Sequence, residues 1–316
     1  MNQLAPIGII TYKRIKHLKR TVEALQNNYL AKESDIFFFS DAPKVGDENE
    51  VNLLRDYLKK IDGFKSVSII YRNINSRKNN SLNAQKMLLE KYGKLIFLEE
   101  DMVTSKYFLT YMNDMLISYQ NEKKVFAICA YVPNIIFPEN YQYDYFFSKR
   151  ISPWGFATWK DRESVEALSD YNAYLNLTNN FFLFIKGYMI SRKTVAFSLR
   201  KVYKTKEHRG DALFFAKQLI NSQFSIVPTK SLINNIGLDG SGQHSGINPE
   251  YKTSVHYHHD QPVRIRKHMK YDKNIDRIFC QWYNRPKTVK NRITQLLNLT
   301  RSLIDSLFYN FFGRIY

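Results

Sequence analysis

The sequence is poor in several things. It has two cysteines in 316 residues, Cys129 and Cys280, too few and too far apart for a disulfide framework or zinc-finger spacing. Two isolated buried thiols in a reducing compartment are expected. Glycine is scarce at 12, which argues against long low-complexity linkers. No apolar run is long. The most hydrophobic stretch, "FFLFIKGYMI", is interrupted by Lys186 and falls far short of the ~20 residues that cross a bilayer. The opening "MNQLAPIGIITYKR" lacks the basic start and apolar core of a secretory signal, so a cytosolic protein is expected. Acids are outnumbered, 29 against 47 Lys and Arg, for a formal charge of +18. That balance favours anionic partners: nucleic acid, phosphorylated small molecules or an anionic membrane face.

What is present is an ordinary globular composition, 44% hydrophobic and 24% charged, with Tyr and Phe abundant at 22 each. The length allows one large domain, with or without an appendage. "APIGIITYKR" reads as a buried strand and "IKHLKRTVEALQNN" as a helix, since Ile15, Leu18, Val22 and Leu25 recur at helical spacing. The alternation continues: strand "DIFFFSDAP", helix "NEVNLLRDYLKKI", strand "SVSIIYRN", helix "SLNAQKMLLEKYG" stopped by Gly93, strand "KLIFLEED" and helix "SKYFLTYMNDMLISYQN". Such alternation implies an α/β, doubly wound, mostly parallel sheet. Ligands bind such sheets beyond the carboxyl ends of the strands. The turns holding Arg14, Asp41 and the acids Glu99, Glu100 and Asp101 then share one rim.

From about Val125 to Asp260 the pattern loosens, with strands "FAICAYV" and "FSIVP" among helices and loops and two polar, Gly-containing segments, "SPWGFATWK" and "NNIGLDGSGQHSG". The tail from Pro262 to Tyr316 carries twelve Lys and Arg against three Asp. Within it Val289, Ile293, Leu296, Leu297, Ile304, Leu307, Phe308, Phe311 and Phe312 form one helical stripe opposite Lys290, Arg292 and Arg301. A basic amphipathic helix suits an anionic membrane interface; packing on the domain or on a second subunit is the alternative.

Three adjacent carboxylates repel one another, and burying them is costly without a cation or hydrogen bonds. A solvated strand-end loop is one reading of "FLEEDMVTS". A Mn²⁺ or Mg²⁺ site is the other, because hard cations bridge carboxylate and diphosphate oxygens. On that reading Asp101 ligates the metal, and Glu99 and Glu100 orient it or bond the sugar and ribose. Trp154 and Trp159 are candidate walls of a sugar pocket, with buried core the rival role for Trp159. "HYHHD", from His256 to Asp260, reads as a solvated turn rather than a second metal site.

"FLEEDMVTSKYFLTYMNDML" resembles the metal-binding segment of GT-A glycosyltransferases related to N-acetylglucosaminyltransferase I. The likeness covers about residues 5 to 250, in order. "IITYKRIKHLKRTVEAL" is similar to the family's first strand-turn-helix, which implies nucleotide contact by Arg14 with Thr11 beside it. "FFFSDAP" looks like the second strand, whose closing Asp, here Asp41, reads the uracil edge. "SPWGFATWK" resembles the Gly-Trp loop of bacterial relatives that build surface polysaccharides, placing Trp154 and Gly155 at the acceptor. "GDALFFAKQL" matches the segment in which an Asp, here Asp211, is the catalytic base; helix N-cap is its plainer role. "NNIGLDGSGQHSG" resembles the late loop over the donor, with His244 in the histidine position. Glu100 stands where the family has Asp.

The resemblance implies a metal-dependent, inverting transferase using a nucleotide-sugar, UDP-linked, with Mn²⁺ or Mg²⁺ as cofactor. It also implies a glycan acceptor in bacterial lipopolysaccharide, O-antigen or capsule synthesis. A lipid-linked glycan acceptor is suggested by the basic tail, and no nucleic-acid partner is expected because the charge concentrates in that tail while the apolar strands read as buried. The organisation expected is a GT-A domain over 1–261, its nucleotide-sugar half about 1–125 and acceptor half about 126–261, followed by a basic helical tail over 262–316 whose 289–316 stretch either touches an anionic membrane or packs on the domain or a second subunit. That places the chain in the cytoplasm, peripheral on the inner membrane face. The rivals are a non-catalytic scaffold of the same fold, which the Glu100 departure motivates, and a basic nucleic-acid-binding protein.

Overall fold

A computed structural model describes residues 3–162, 164–242, 249–251, 253, 262–266, 269–285 and 289–312. The alternation read from the sequence is present: β1 (Ile7–Thr11), α1 (Ile15–Gln26), β2 (Asp35–Ser40), α2 (Glu48–Leu58), β3 (Ser66–Tyr71), α3 (Arg77–Tyr92), β4 (Lys94–Glu99), β5 (Met102–Thr104) and α4 (Phe108–Ser118). The second half holds β6 (Val125–Cys129), β7 (Tyr145–Ser148), β8 (Phe156–Trp159), α5 (Ser164–Ser169), α6 (Ala173–Thr178), α7 (Phe181–Ile190), α8 (Arg200–Thr205) and α9 (Gly210–Ile220). It closes with β9 (Phe224–Pro228), β10 (Ile233–Asn235), α10 (Lys273–Asn284) and α11 (Val289–Phe312). A π-helical segment, Thr194–Leu199, leads into α8.

One 8-stranded sheet runs in the order β3-β2-β1-β4-β8-β6-β9-β7. The pairs β3·β2, β2·β1, β1·β4 and β6·β9 are parallel; β8 and β7 run against their neighbours. This is the α/β, mostly parallel, doubly wound sheet expected. Its two faces are legible residue by residue. Phe37 and Phe39 of β2, with Leu95 and Phe97 of β4, pack on one side with Leu88 of α3 and the helices α5 to α9. Ile36 and Phe38, with Ile96 and Leu98, pack on the other side with Leu18 and Val22 of α1 and Met112 of α4. The period-2 alternation of each strand feeds two cores at once, and each fully buried Leu or Phe contributes about 1.5–3 kcal/mol.

The basic tail does not stand apart. Ile275, Phe279 and Cys280 of α10 lie in the core beside Phe146 of β7, and Ser148 donates to the buried Asp276 at 2.7 Å. Cys129 and Cys280 are both buried and unpaired.

Candidate active site

The rim is built from register. β1 lies between β2 and β4, and Ile10 sits opposite Glu99, so the turn after Thr11 meets the turn after Glu99. Glu100 and Asp101 are each only 5% exposed, which removes the solvated-loop reading. Glu100 accepts the Tyr12 backbone N–H at 2.7 Å and the Arg14 Nε–H at 2.7 Å. Asp101 Oδ2 accepts from Arg14 Nη2 at 2.7 Å. Glu99 faces outward and takes two bonds from Arg77 Nη2, at 3.1 and 2.9 Å.

Three carboxylates therefore meet two guanidinium groups. Burial pushes the Asp101 carboxyl up to about 6, the Glu99 charge adds to that, and Arg14 pulls the other way. Burial disfavours the Arg14 cation, but Asp101 and Glu100 outweigh it and hold Arg14 more firmly protonated than usual. Hydrogen bonding is left incomplete. Asp101 Oδ1, Arg14 Nη1 and Thr11 Oγ1 are buried with no partner among the described residues.

The late loop arrives through a pairing that sequence patterning did not show. β10 pairs antiparallel with β5, Asn235 opposite Met102, and the Ile236 N–H donates to the Asp101 carbonyl at 2.9 Å. Gly237 then lies against the ion pair: a Cβ there would stand 2.0 Å from Asp101 Oδ2 and 2.8 Å from Arg14 Nη1. No side chain fits. Further on, Asp239 lies 3.0 Å from His17 of α1, and its carboxyl is lowered to about 2 by the Ser241 hydroxyl and amide, then by His17. His244 lies outside the described residues, as does the His256–Asp260 run.

Asp41 is buried after β2 and accepts the Ala42 and Ser76 N–H groups at 3.0 and 3.1 Å. Its carboxyl is raised by burial, which those amides and the nearby Arg72 and Arg55 oppose. Ser76 in turn caps α3 by accepting the Asn79 N–H. Asp41 thereby fixes where α3 begins and brings Arg77 and Lys78 to the rim.

Asp211 is exposed in the first turn of α9. The N-cap position belongs to Arg209, so the capping role read for Asp211 does not hold. His208 stands just before it, half-buried, with Nδ1 unpartnered among the described residues. Burial, then Lys78 and Arg77, lower its proton affinity, and Asp211 partly opposes them. The charges of Lys78, Arg77 and Asp211 thus act on His208, and Arg77 bonds Glu99. Arg77, Lys78, His208 and Gly237 were absent from the sequence reading. Ser-Arg-Lys ahead of "NNSLNAQKML", and His-Arg-Gly ahead of "DALFF", are helix starts that follow or face the rim, and that was the available signal.

Trp154 and Gly155 precede β8. Phe156 pairs with Phe97, and continuing that register sets Gly155 opposite Leu98 and Trp154 opposite Glu99, at the carboxyl end of β4. Gly155 has φ +61, and a Cβ would press on Leu98, Ala130 and Ile233 at 3.1–3.3 Å, which makes it a packing requirement of the rim. Trp154 is half-buried and meets Tyr131 edge-on at 4.7 Å and Tyr251 at 5.5 Å. Trp159 is core: it is buried and donates to the Leu116 carbonyl at 3.2 Å.

No group of three His, Cys, Asp or Glu side chains that would hold a metal by themselves occurs among the described residues. Asp101 Oδ1, buried and unpartnered among the described residues, is an oxygen donor of the kind a hard cation takes.

No protein family and no curated protein matches the sequence. Among solved structures, residues 1–349 of S. aureus TarS are 12% identical, TM-score 0.40, covering 73% of this chain and 59% of that one. The bifunctional glycosyltransferase WbbM is 10% identical, TM-score 0.35, covering 72% and 39%. The mannosyltransferase PcManGT from Pyrobaculum calidifontis, solved with GDP-Man and Mn²⁺, is 9% identical, TM-score 0.38, covering 98% and 87%. The chain spans less than two thirds of the length of TarS 1–349 and of WbbM.

Proposed function

We propose that this chain is an inverting glycosyltransferase that moves a sugar from a nucleotide donor, UDP-linked, to a hydroxyl of a glycan. The observation that carries the reading is the buried Glu100–Asp101 pair, tied by Arg14 at the carboxyl end of β4 with one carboxylate oxygen unpartnered. Asp101 Oδ1, Arg14 Nη1 and Thr11 Oγ1 are left unsatisfied together, and each buried orphan costs about 1–3 kcal/mol. A polar ligand at the rim would satisfy them.

Asp101 would hold Mn²⁺ or Mg²⁺, which, when bound, supplies positive charge for the departing diphosphate. Arg14 and Arg77 add fixed cations on the same rim. Asp41 and Thr11 line the nucleotide side. Asp211 takes the proton from the acceptor hydroxyl as that oxygen attacks the anomeric carbon, and holds it on its carboxylate. One displacement with one base inverts the anomeric configuration. Trp154 offers an indole face to the acceptor sugar. The glycan class we assign, bacterial surface polysaccharide, rests on the likeness of "SPWGFATWK", and the lipid-linked acceptor rests on the basic tail.

Thermal melting with a panel of nucleotide sugars, with and without Mn²⁺, tests the donor site. A UDP-sugar at a hundred times its Kd should stabilise the folded form by about 2.7 kcal/mol, and more with Mn²⁺ than without. Proton NMR of the product anomer reads the stereochemistry. If no nucleotide sugar raises the melting temperature under either condition, and none is consumed with any glycan supplied, the reading falls.

A further inference from the structure

α7 is apolar on both sides. Phe184 and Gly187 face the core. At 100° per residue, Phe182, Lys186 and Met189 form the opposite face with Phe181 at its edge, and there Phe182 is 84% exposed, Met189 67% and Phe181 46%; Ile185 packs against the core. This face is not a frayed end: Asn284 of α10 donates its side-chain N–H to the Met189 and Ile190 carbonyls at 3.3 and 3.0 Å. α11 repeats the arrangement. Ser302 and Asp305 are buried against the domain, Asp305 accepting from Tyr174 and paired with Arg200. Ile293, Leu296, Leu297 and Ile304 make an outward stripe, each 46–63% exposed. Both helices pack on the π-helical segment Thr194–Leu199, whose Phe197 is itself 40% exposed.

Charge names the occupant. Between Phe181 and Gly210 the chain has eight Lys and Arg against the single Glu207, and Arg192 and Lys193, both exposed, follow α7 directly. Bulky apolar side chains projecting from helices, bordered by cations, fit an interfacial layer of apolar acyl chains beneath anionic headgroups. No helix among the described residues is long and apolar enough to cross a membrane, so the contact would be one-sided.

We infer that α7, with the outward stripe of α11, seats the protein on an anionic lipid surface, Phe182 and Met189 entering the acyl boundary and Arg192 and Lys193 meeting headgroups. This does not rest on the sugar-transfer reading, because lipid alone is the probe.

The test is flotation of the full chain with vesicles of phosphatidylcholine, alone or mixed with phosphatidylglycerol. Wild type should float with the mixed vesicles only, less at high salt. Phe182→Ser with Met189→Ser should lower the bound fraction about tenfold, and Arg192→Gln with Lys193→Gln by a similar factor. If the Ser pair melts early, the Gln pair alone decides. Absence of flotation, equal flotation with neutral vesicles, or unchanged flotation of the variants overturns the inference. So does a wild-type dimer in light scattering that the Ser pair converts to monomer, since the face would then join two copies.

Discussion

Two arginines, Arg162 fully buried and Arg14 half-buried, stand at opposite ends of the sheet, and they are used differently. Arg162, 1% exposed, sits past the end of β8, where β4 and β6 begin. Its Nε donates to the Val125 carbonyl at 2.7 Å and its Nη2 to the Gln120 carbonyl at 2.9 Å, while Nη1 meets Asp161. Each of its three nitrogens has a partner, and the guanidinium lies 4.5 Å from the Trp159 ring. Arg14, at the carboxyl rim, faces two carboxylates and leaves Nη1 without a partner among the described residues. A satisfied buried arginine closes a turn. An unsatisfied one beside an unsatisfied carboxylate keeps capacity for something that comes and goes.

Four measurements break or sharpen that contrast. Asp101→Asn should cut sugar transfer by about a thousandfold, roughly 4 kcal/mol of transition-state stabilisation, while the melting temperature moves only a few degrees; steady-state rates beside a melting curve check both. Arg162→Met should do the reverse, costing roughly 3 kcal/mol because several buried carbonyls lose their donor, with nucleotide affinity in the folded fraction unchanged; urea denaturation and calorimetric titration read the two effects. Gly237→Ala must part Asp101 from Arg14 or shift β10, at about 1–3 kcal/mol, and should weaken donor binding in calorimetry while leaving secondary structure intact.

The smallest effect is in pH. The folded Asp101 carboxyl, raised to about 6, binds its proton more tightly than the unfolded chain does, so its contribution to stability grows as pH falls from 7 through 6 towards 4. The groups facing it are Glu99, Glu100, Arg14 and Arg77. Melting of ligand-free wild type against Asp101→Asn at pH 7.5 and pH 5 should therefore favour wild type more at the lower pH. His208 works the other way, since its lowered proton affinity removes stability as pH drops below the ordinary histidine range; it is common to both proteins and cancels in the difference.

The first four strands and the helices between them were legible because local periodicity carried them, whereas β7 and β8 were not read as strands. Phe37 and Phe39 alternate with Ile36 and Phe38, and Leu18, Val22 and Leu25 recur at helical spacing, so faces could be assigned without tertiary information. The acid turn was legible by position, as the end of an apolar strand ahead of a helix. What stayed hidden depends on contacts far apart in the chain. β5 and β10 are three residues each, too short to show a period, and exist because they pair. The charge of Lys78 acts on His208 only because α3 and α9 pack into the same core. Phe279 looked like part of a basic tail because its polar neighbours in sequence outnumber it. The two tryptophans of one short loop region separate into core and rim through the hydrogen-bond register of β8, which composition cannot express.

The pairing of β5 with β10 also sets a timetable. The stretch that carries the acids is complete by Thr104, yet the backbone that encloses Asp101 comes about 130 residues later, at Asn235 and Gly237. Closing so distant a loop is slow relative to local helix formation. A chain emerging from the ribosome would hold its clustered negative charge open to water until its later portion returned, so the rim is the last part of the first sheet half to mature.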